Sequence, residues 1–214
     1  MERASSYGFD SAGFVTEDAL DQFRERSSEA APGAEAEEVS EVTPQECSAP
    51  LAAVDWAPLL IGGDAARVDF GTEGFAGTGS IEVAEAAGEE AEARVEEHLA
   101  HVDALLEDCP EVAFTAEGEQ LELTIDDVDL EEEGTTRAYS WQRNAAESAG
   151  SADPAGDSAE ADGTTVAQIL FTQQDDDVVM VSFIGDSTAG SAEFTQMAEG
   201  ITQATLDALE ADDD

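Results

Sequence analysis

The runs TVAQILFT (165–172) and VVMVSFIG (178–185) are β-branched and apolar, and only Gln173 to Asp177 joins them. Two strands so closely linked pair antiparallel, because a parallel return needs a crossover of on the order of a dozen residues. VAFTA (112–116), a turn around Gly118 and QLELTI (120–125) predict a hairpin of the same kind, and TRAYSWQ (136–142) adds a further strand. Upstream, ARVDF (66–70) and SIEVAEA (80–86) alternate at the strand period. The glycine-rich loop between them, Gly71 to Gly79, lacks the spacing and the Gly-Lys-Ser/Thr ending of a phosphate-binding loop.

The clearest helix runs from Glu89 to Asp108. Ala91, Val95, Leu99, Val102, Leu106 and Cys109 are spaced 4, 4, 3, 4 and 3 apart, which makes one continuous stripe. Pro110 ends it. A short helix is predicted over EDALDQFRERSSEA (17–30), behind Thr16 as N-cap. Thr43-Pro44-Gln45-Glu46 reads as a capping box that opens a helix carrying Cys47, with Pro50 and Pro58 limiting its length around Trp56. A last helix follows Ser191, with Phe194, Met197, Ile201, Ala204 and Leu209 on one side. The order predicts an α+β fold, an antiparallel central sheet with helices packed mainly on one face. Residues 1–15 read as a flexible N-terminal segment. Residues 16–214 read as a single α+β domain with an acidic linker at 27–42 and a disordered insertion at 144–163, a stretch without apolar period.

Charge narrows the partners. The chain has 52 Asp and Glu against 7 Lys and Arg, a net −45, and all seven bases are arginines. Binding a phosphate backbone needs a basic face, so nucleic acid is excluded. Loosely bound cations are expected instead. Carboxylates favour solubility, while their mutual repulsion opposes compaction unless salt screens it, so stability is expected to rise with salt. The pattern suits a halophile or an alkaliphile. No stretch reaches 18 consecutive apolar residues, so no membrane-spanning segment is expected. Met1 is followed by Glu2, Arg3 and a polar run, which does not read as a signal peptide.

No catalytic constellation stands out, and no cofactor is implied. The two histidines, His98 and His101, share a helix side, but no HExxH motif or third imidazole completes a metal site. The acidic run Asp126 to Glu133 lacks the mid-loop glycine of an EF-hand and reads as solvated surface. There is no GxSxG elbow. A hydrolase working through an Asp/Glu pair is the weakest reading, since nothing selects the pair. Trp56, Tyr139 and Trp141 are the candidates to line a ligand cleft, with ordinary core packing as the alternative. Cys47 and Cys109 lie outside any CxxC spacing, as a structural disulfide or as two buried thiols. A bridge closing about 60 residues contributes roughly 4 kcal/mol in the chain-entropy treatment.

PQECSAPL, the helix ending LLEDCP, the hairpin with EGEQLEL, TVAQILFTQQDDDVVMVSF and a last helix together resemble actinobacterial cell-envelope lipoproteins. They are also similar to the extracellular sensor domain of the mycobacterial serine/threonine kinase H type. The resemblance spans residues 16–210. It implies an exported, lipid-anchored or tethered module with a central sheet, one disulfide and a cleft for an unknown small ligand or an envelope protein. Cys47 and Cys109 are the residues it carries over. The chain departs from the pattern in lacking the lipobox cysteine, the export signal and the kinase domain's further cysteines, so any lipid anchor would have to lie upstream. The reading is a non-catalytic, extracellular binding or sensor-like module. The alternative is an acidic interaction protein in the cytoplasm of a salt-accumulating halophile.

Overall fold

The structure is a computed structural model that describes residues 2–16, 18–22, 40–61, 65–116, 118–130, 136–145 and 164–212. The strong pair at the end of the chain sets its frame. β8 (Thr165–Gln174) and β9 (Asp177–Gly185) run antiparallel in continuous register from Val166↔Gly185 to Gln174↔Asp177. They turn through Asp175 at φ 53, a left-handed conformation that a short polar side chain tolerates.

The other strands are β1 (Ser11–Phe14), β2 (Ser40–Thr43), β3 (Ala66–Gly71), β4 (Gly77–Glu85), β5 (Glu111–Ala116), β6 (Glu119–Asp127) and β7 (Arg137–Ala145). Among the described residues they form one antiparallel sheet of nine strands, in the order β1-β3-β4-β9-β8-β7-β6-β5-β2. β5 to β9 are the meander that the short turns predict. β4 joins it beside β9, so the chain must cross four strands to reach β5. Five strand spacings of about 4.8 Å need about 24 Å. The helix α2 (Glu89–Asp108), with 20 residues at about 1.5 Å each, supplies about 30 Å.

The α+β class and the antiparallel sheet are as expected, but the helices, expected mainly on one face, cover both. Along β8, Ala167, Ile169 and Phe171 enter one cluster with Val95, Val102 and Leu105 of α2, while Val166 and Leu170 enter another. That second cluster holds Ala198, Ile201 and Leu206 of α3 (Ala192–Asp212) and Ala4 of α1 (Glu2–Ser6). β9 alternates in the same way, with Val178 and Met180 on the first face and Val179, Val181 and Phe183 on the second. Successive strand side chains point to opposite faces, so an unbroken apolar strand needs cover on each.

The N-terminal segment also departs from the flexible reading. Ala4 and Phe9 are buried, and Phe9 packs against Phe70 at 4.9 Å and Phe183 at 5.6 Å between ring centroids. Sparse apolar residues there show no period, and their burial comes from partners far along the chain. Ser40, Glu41 and Val42, assigned to the acidic linker, belong to β2, and Asn144 and Ala145 complete β7. The rest of 27–42 and of 144–163 lies outside the described residues. Of the predicted helix at 17–30, residues 18–22 are described and helical.

The capping box is not formed. Thr43 ends β2, Pro44 is the N-cap without a side-chain cap, and the segment continues as short 3-10 turns at Gln45–Ser48, Pro50–Asp55 and Pro58–Leu60. Pro44, Pro50 and Pro58 come too close together for an α-helical hydrogen-bond ladder between them. Between β3 and β4 the glycine loop shortens to Thr72–Ala76. A Cβ on Gly77 would collide with the Ile184 carbonyl oxygen and the Phe75 ring, and one on Gly185 with the Ala76 carbonyl oxygen. These glycines let the backbones close under Phe75.

Candidate functional site

The layer over the first face is built from the three 3-10 turns and α2, and a disulfide joins them. Cys47 and Cys109 are bonded with their Cα atoms 5.8 Å apart across a separation of 62, and both are buried. This is the bridge that the resemblance implies. It fastens the first turn to the C-terminal end of α2. On the far side of that helix, the Arg137 guanidinium clamps Asp103 through contacts of 2.6 Å and 3.0 Å. The arginine holds the Asp103 carboxyl below its ordinary range. Both side chains are about two-fifths exposed, so the clamp adds on the order of 1 kcal/mol or less.

On the inner side of this layer, His98 packs in a triangle with Trp56 and Phe171, whose own centroids are 5.7 Å apart. Trp56 stacks on it with centroids 4.0 Å apart and planes 11° from parallel, and Phe171 lies 5.4 Å away on the sheet side. His98 is 2% exposed, and neither ring nitrogen has a hydrogen-bond partner. Burial, helped by the nearby His101, pushes its pKa down to about 3, so the imidazole is neutral. Among the described residues, no group of three His, Cys, Asp or Glu is placed to hold a metal ion. In the sequence, Leu99 lay on the stripe and His98 beside it. In the fold, His98 and Leu105 are the buried residues, while Leu99 and Leu106 are partly covered.

A second polar group sits two strands away in the same row. Glu82 pairs with Met180, and Met180 with Phe171, which puts the Glu82 backbone about 10 Å from that of Phe171. Glu82 is 1% exposed. Arg67 donates to its Oε1 at 3.0 Å and to Asp69 at 2.7 Å, and the Leu59 backbone also hydrogen-bonds the carboxyl. Burial raises the Glu82 pKa to about 7, against the opposing pull of Arg67 and of the Leu59 backbone hydrogen bond. Beside it, the Ser80 and Ser182 hydroxyls share a 2.8 Å hydrogen bond. SIEVAEA alternates at the strand period, which puts Ser80, Glu82 and Ala84 on one face. The covering layer makes that face interior, a fact local sequence does not carry.

Trp56, Tyr139 and Trp141 all belong to the first face. Trp56 is partly exposed; Tyr139 and Trp141, at 1% and 7%, are buried side by side along β7. Burial raises the Tyr139 pKa above its ordinary value, and the Trp141 indole nitrogen is buried without a partner.

No protein-family model and no curated protein matches the sequence. Among solved structures, the extracellular domain of PknH from Mycobacterium tuberculosis is similar to this chain at 13% identity and a TM-score of 0.46. The match covers 95% of this chain and 89% of that one.

Chemically, the first face combines a bridged cover, a neutral imidazole stacked on Trp56 and a buried carboxyl that titrates near neutrality. Neither His98 nor Glu82 hydrogen-bonds a hydroxyl or thiol that it could activate as a nucleophile. Among the described residues, no helix is long and apolar enough to cross a membrane.

Proposed function

We propose that this chain is a non-catalytic, extracellular or cell-envelope binding or sensor-like module that works in high salt. The observation that carries the reading is the buried Cys47–Cys109 bridge, which joins the covering turns to α2. Such bonds persist in oxidising compartments and are kept reduced in most cytosols. The net charge of −45 supports the salt environment. High pH fits less well, because Glu82 is held protonated up to about 7 and its ionisation inside the core opposes folding. A ligand on the first face meets Trp56, the partly exposed ring of the three, while Tyr139 and Trp141 are buried in the same cluster.

Intact mass after alkylation under denaturing conditions, on protein from its native host, tests the compartment. No added alkyl groups before reductant, and two after it, are expected. Two groups without reductant overturn the extracellular reading and favour a cytoplasmic interaction protein.

The salt reading has its own check. Raising NaCl from about 0.1 M to about 1 M shortens the Debye length from about 10 Å to about 3 Å, so the melting temperature should climb by about 10 °C. A flat profile removes salt from the proposal.

A further inference from the structure

Residues 44–61 lead from β2, at one edge of the sheet, towards β3, seven places along the strand order. Seven spacings of about 4.8 Å make about 34 Å, so this stretch is a strap laid across the first face. Its buried residues Cys47, Leu51, Ala53, Ala57 and Ile61 join the cluster of that face. We propose that the strap is a lid, hinged at the Cys47–Cys109 bridge and latched through Leu59 and Leu60, that lifts at the latch to open Trp56 and His98 to a ligand. The lifting itself needs no ligand; its role as an entry rests on the binding-module reading.

The two ends of the strap are held by different chemistry. Near its start it is bonded covalently to the end of α2, and that bond stays closed through any motion of the chain. Towards its other end, polar contacts hold it from two sides. The Arg94 guanidinium of α2 donates to the Leu60 carbonyl oxygen at 2.7 Å, and the Leu59 backbone hydrogen-bonds the Glu82 carboxyl of β4. Arg94 is about half exposed and also pairs with Glu90 at 2.9 Å, so water can take over its bond to Leu60 at small cost. Within the strap, backbone hydrogen bonds run three residues back, from Trp56 to Ala53, from Leu60 to Ala57 and from Ile61 to Pro58. Bonds so local travel with the segment, and its turns lift without breaking them.

A shut lid leaves polar chemistry unsatisfied beneath it. Trp56, itself partly exposed, lies flat on His98, and both nitrogens of that buried ring lack a hydrogen-bond partner among the described residues. A buried polar group without a partner raises the free energy of the closed state, so His98 works against closure. Lifting Trp56 frees one face of the imidazole for stacking and gives its two nitrogens, one donor and one acceptor, access to a partner. The strap therefore combines a fixed hinge, a latch that water can replace and a covered group that gains from opening.

Hydrogen exchange of the oxidised, isotope-labelled protein in about 1 M NaCl, where charge repulsion is screened, reads the lid directly. With intrinsic rates divided out, the Trp56, Leu60 and Ile61 amides are expected to exchange at least about tenfold faster than those of Val179 and Val181 in β9, with little dependence on denaturant. Arg94→Gln should speed the same three amides about tenfold further and leave Cys47, Val179 and Val181 unchanged. Arg3→Gln removes the same charge from α1, over the second face, and should change none of them. Exchange of the three amides only as fast as Val179 and Val181 overturns the lid. So does an Arg94→Gln protein with unaltered rates, an equal gain at Cys47, a gain at Leu60 and Ile61 that Trp56 does not share, or the same gain in Arg3→Gln. A strap that stays shut leaves the binding-module reading standing, and failure of the alkylation test leaves the strap standing.

Discussion

Replacing His98 with Phe is expected to remove an acid-dependent loss of about 5 kcal/mol from the stability of this protein. The sign follows from the two states. In the folded chain the imidazole titrates at about 3; unfolded, it returns to 6.5. Between those values only the unfolded state takes up the proton, so stability falls as pH drops from 6.5 towards 3. At about 1.4 kcal/mol per unit, a gap of that size amounts to about 5 kcal/mol. Phenylalanine keeps a planar ring in contact with Trp56 and Phe171 and removes two buried nitrogens that have no partner. Such an exchange is nearly neutral or stabilising where neither form is charged. Glu82 works in the opposite direction. Its carboxyl titrates at about 7 folded and 4.5 unfolded, so it costs stability as pH rises through that window and partly masks His98 in the wild type. The difference between wild type and variant isolates the histidine. Denaturant unfolding of both proteins at intervals from pH 3 to pH 7 should give curves that diverge on the acid side. Parallel curves would mean that His98 finds a proton acceptor or solvent when folded.

Removing the bridge with a Cys47→Ala/Cys109→Ala double substitution is expected to cost about 4 kcal/mol, from the 62-residue loop it closes. For a chain of this size that corresponds to a melting temperature lower by about 10 °C. The loss should appear mainly as faster unfolding of the turns at 45–60, because their cover of the sheet relies on short 3-10 segments rather than a continuous helix. Measured in about 1 M NaCl, the effect separates from charge repulsion. A loss below about 1 kcal/mol would show that packing of Leu51, Ala53, Ala57 and Leu59 holds the layer by itself.

Much of the framework was legible beforehand. Glu89 to Asp108 is helical over its predicted span, because a 3.6-residue apolar period with Pro110 behind it is a local signal. The hairpins β5–β6 and β8–β9 were equally readable, since β-branched runs joined by a few polar residues have few other ways to pair. Three features were not. β1 and β2 are four residues each and carry no period, so they exist as strands only because β3 and β5 offer an edge to pair with. The capping-box pattern at Thr43 was outweighed by prolines spaced along the same stretch.

By itself, the sequence determined the α+β class, the antiparallel meander, the long helix and the cysteines available to bridge, because each rests on local periodicity, turn length or residue type. Tertiary structure alone decided that the helices divide between two faces of the sheet. It decided too that His98, Glu82, Tyr139 and Trp141 are interior. Those outcomes depend on which strands become neighbours, above all β4 beside β9. A polar residue on an alternating strand looks the same whether water or another layer covers it, and only the long-range packing tells the two apart.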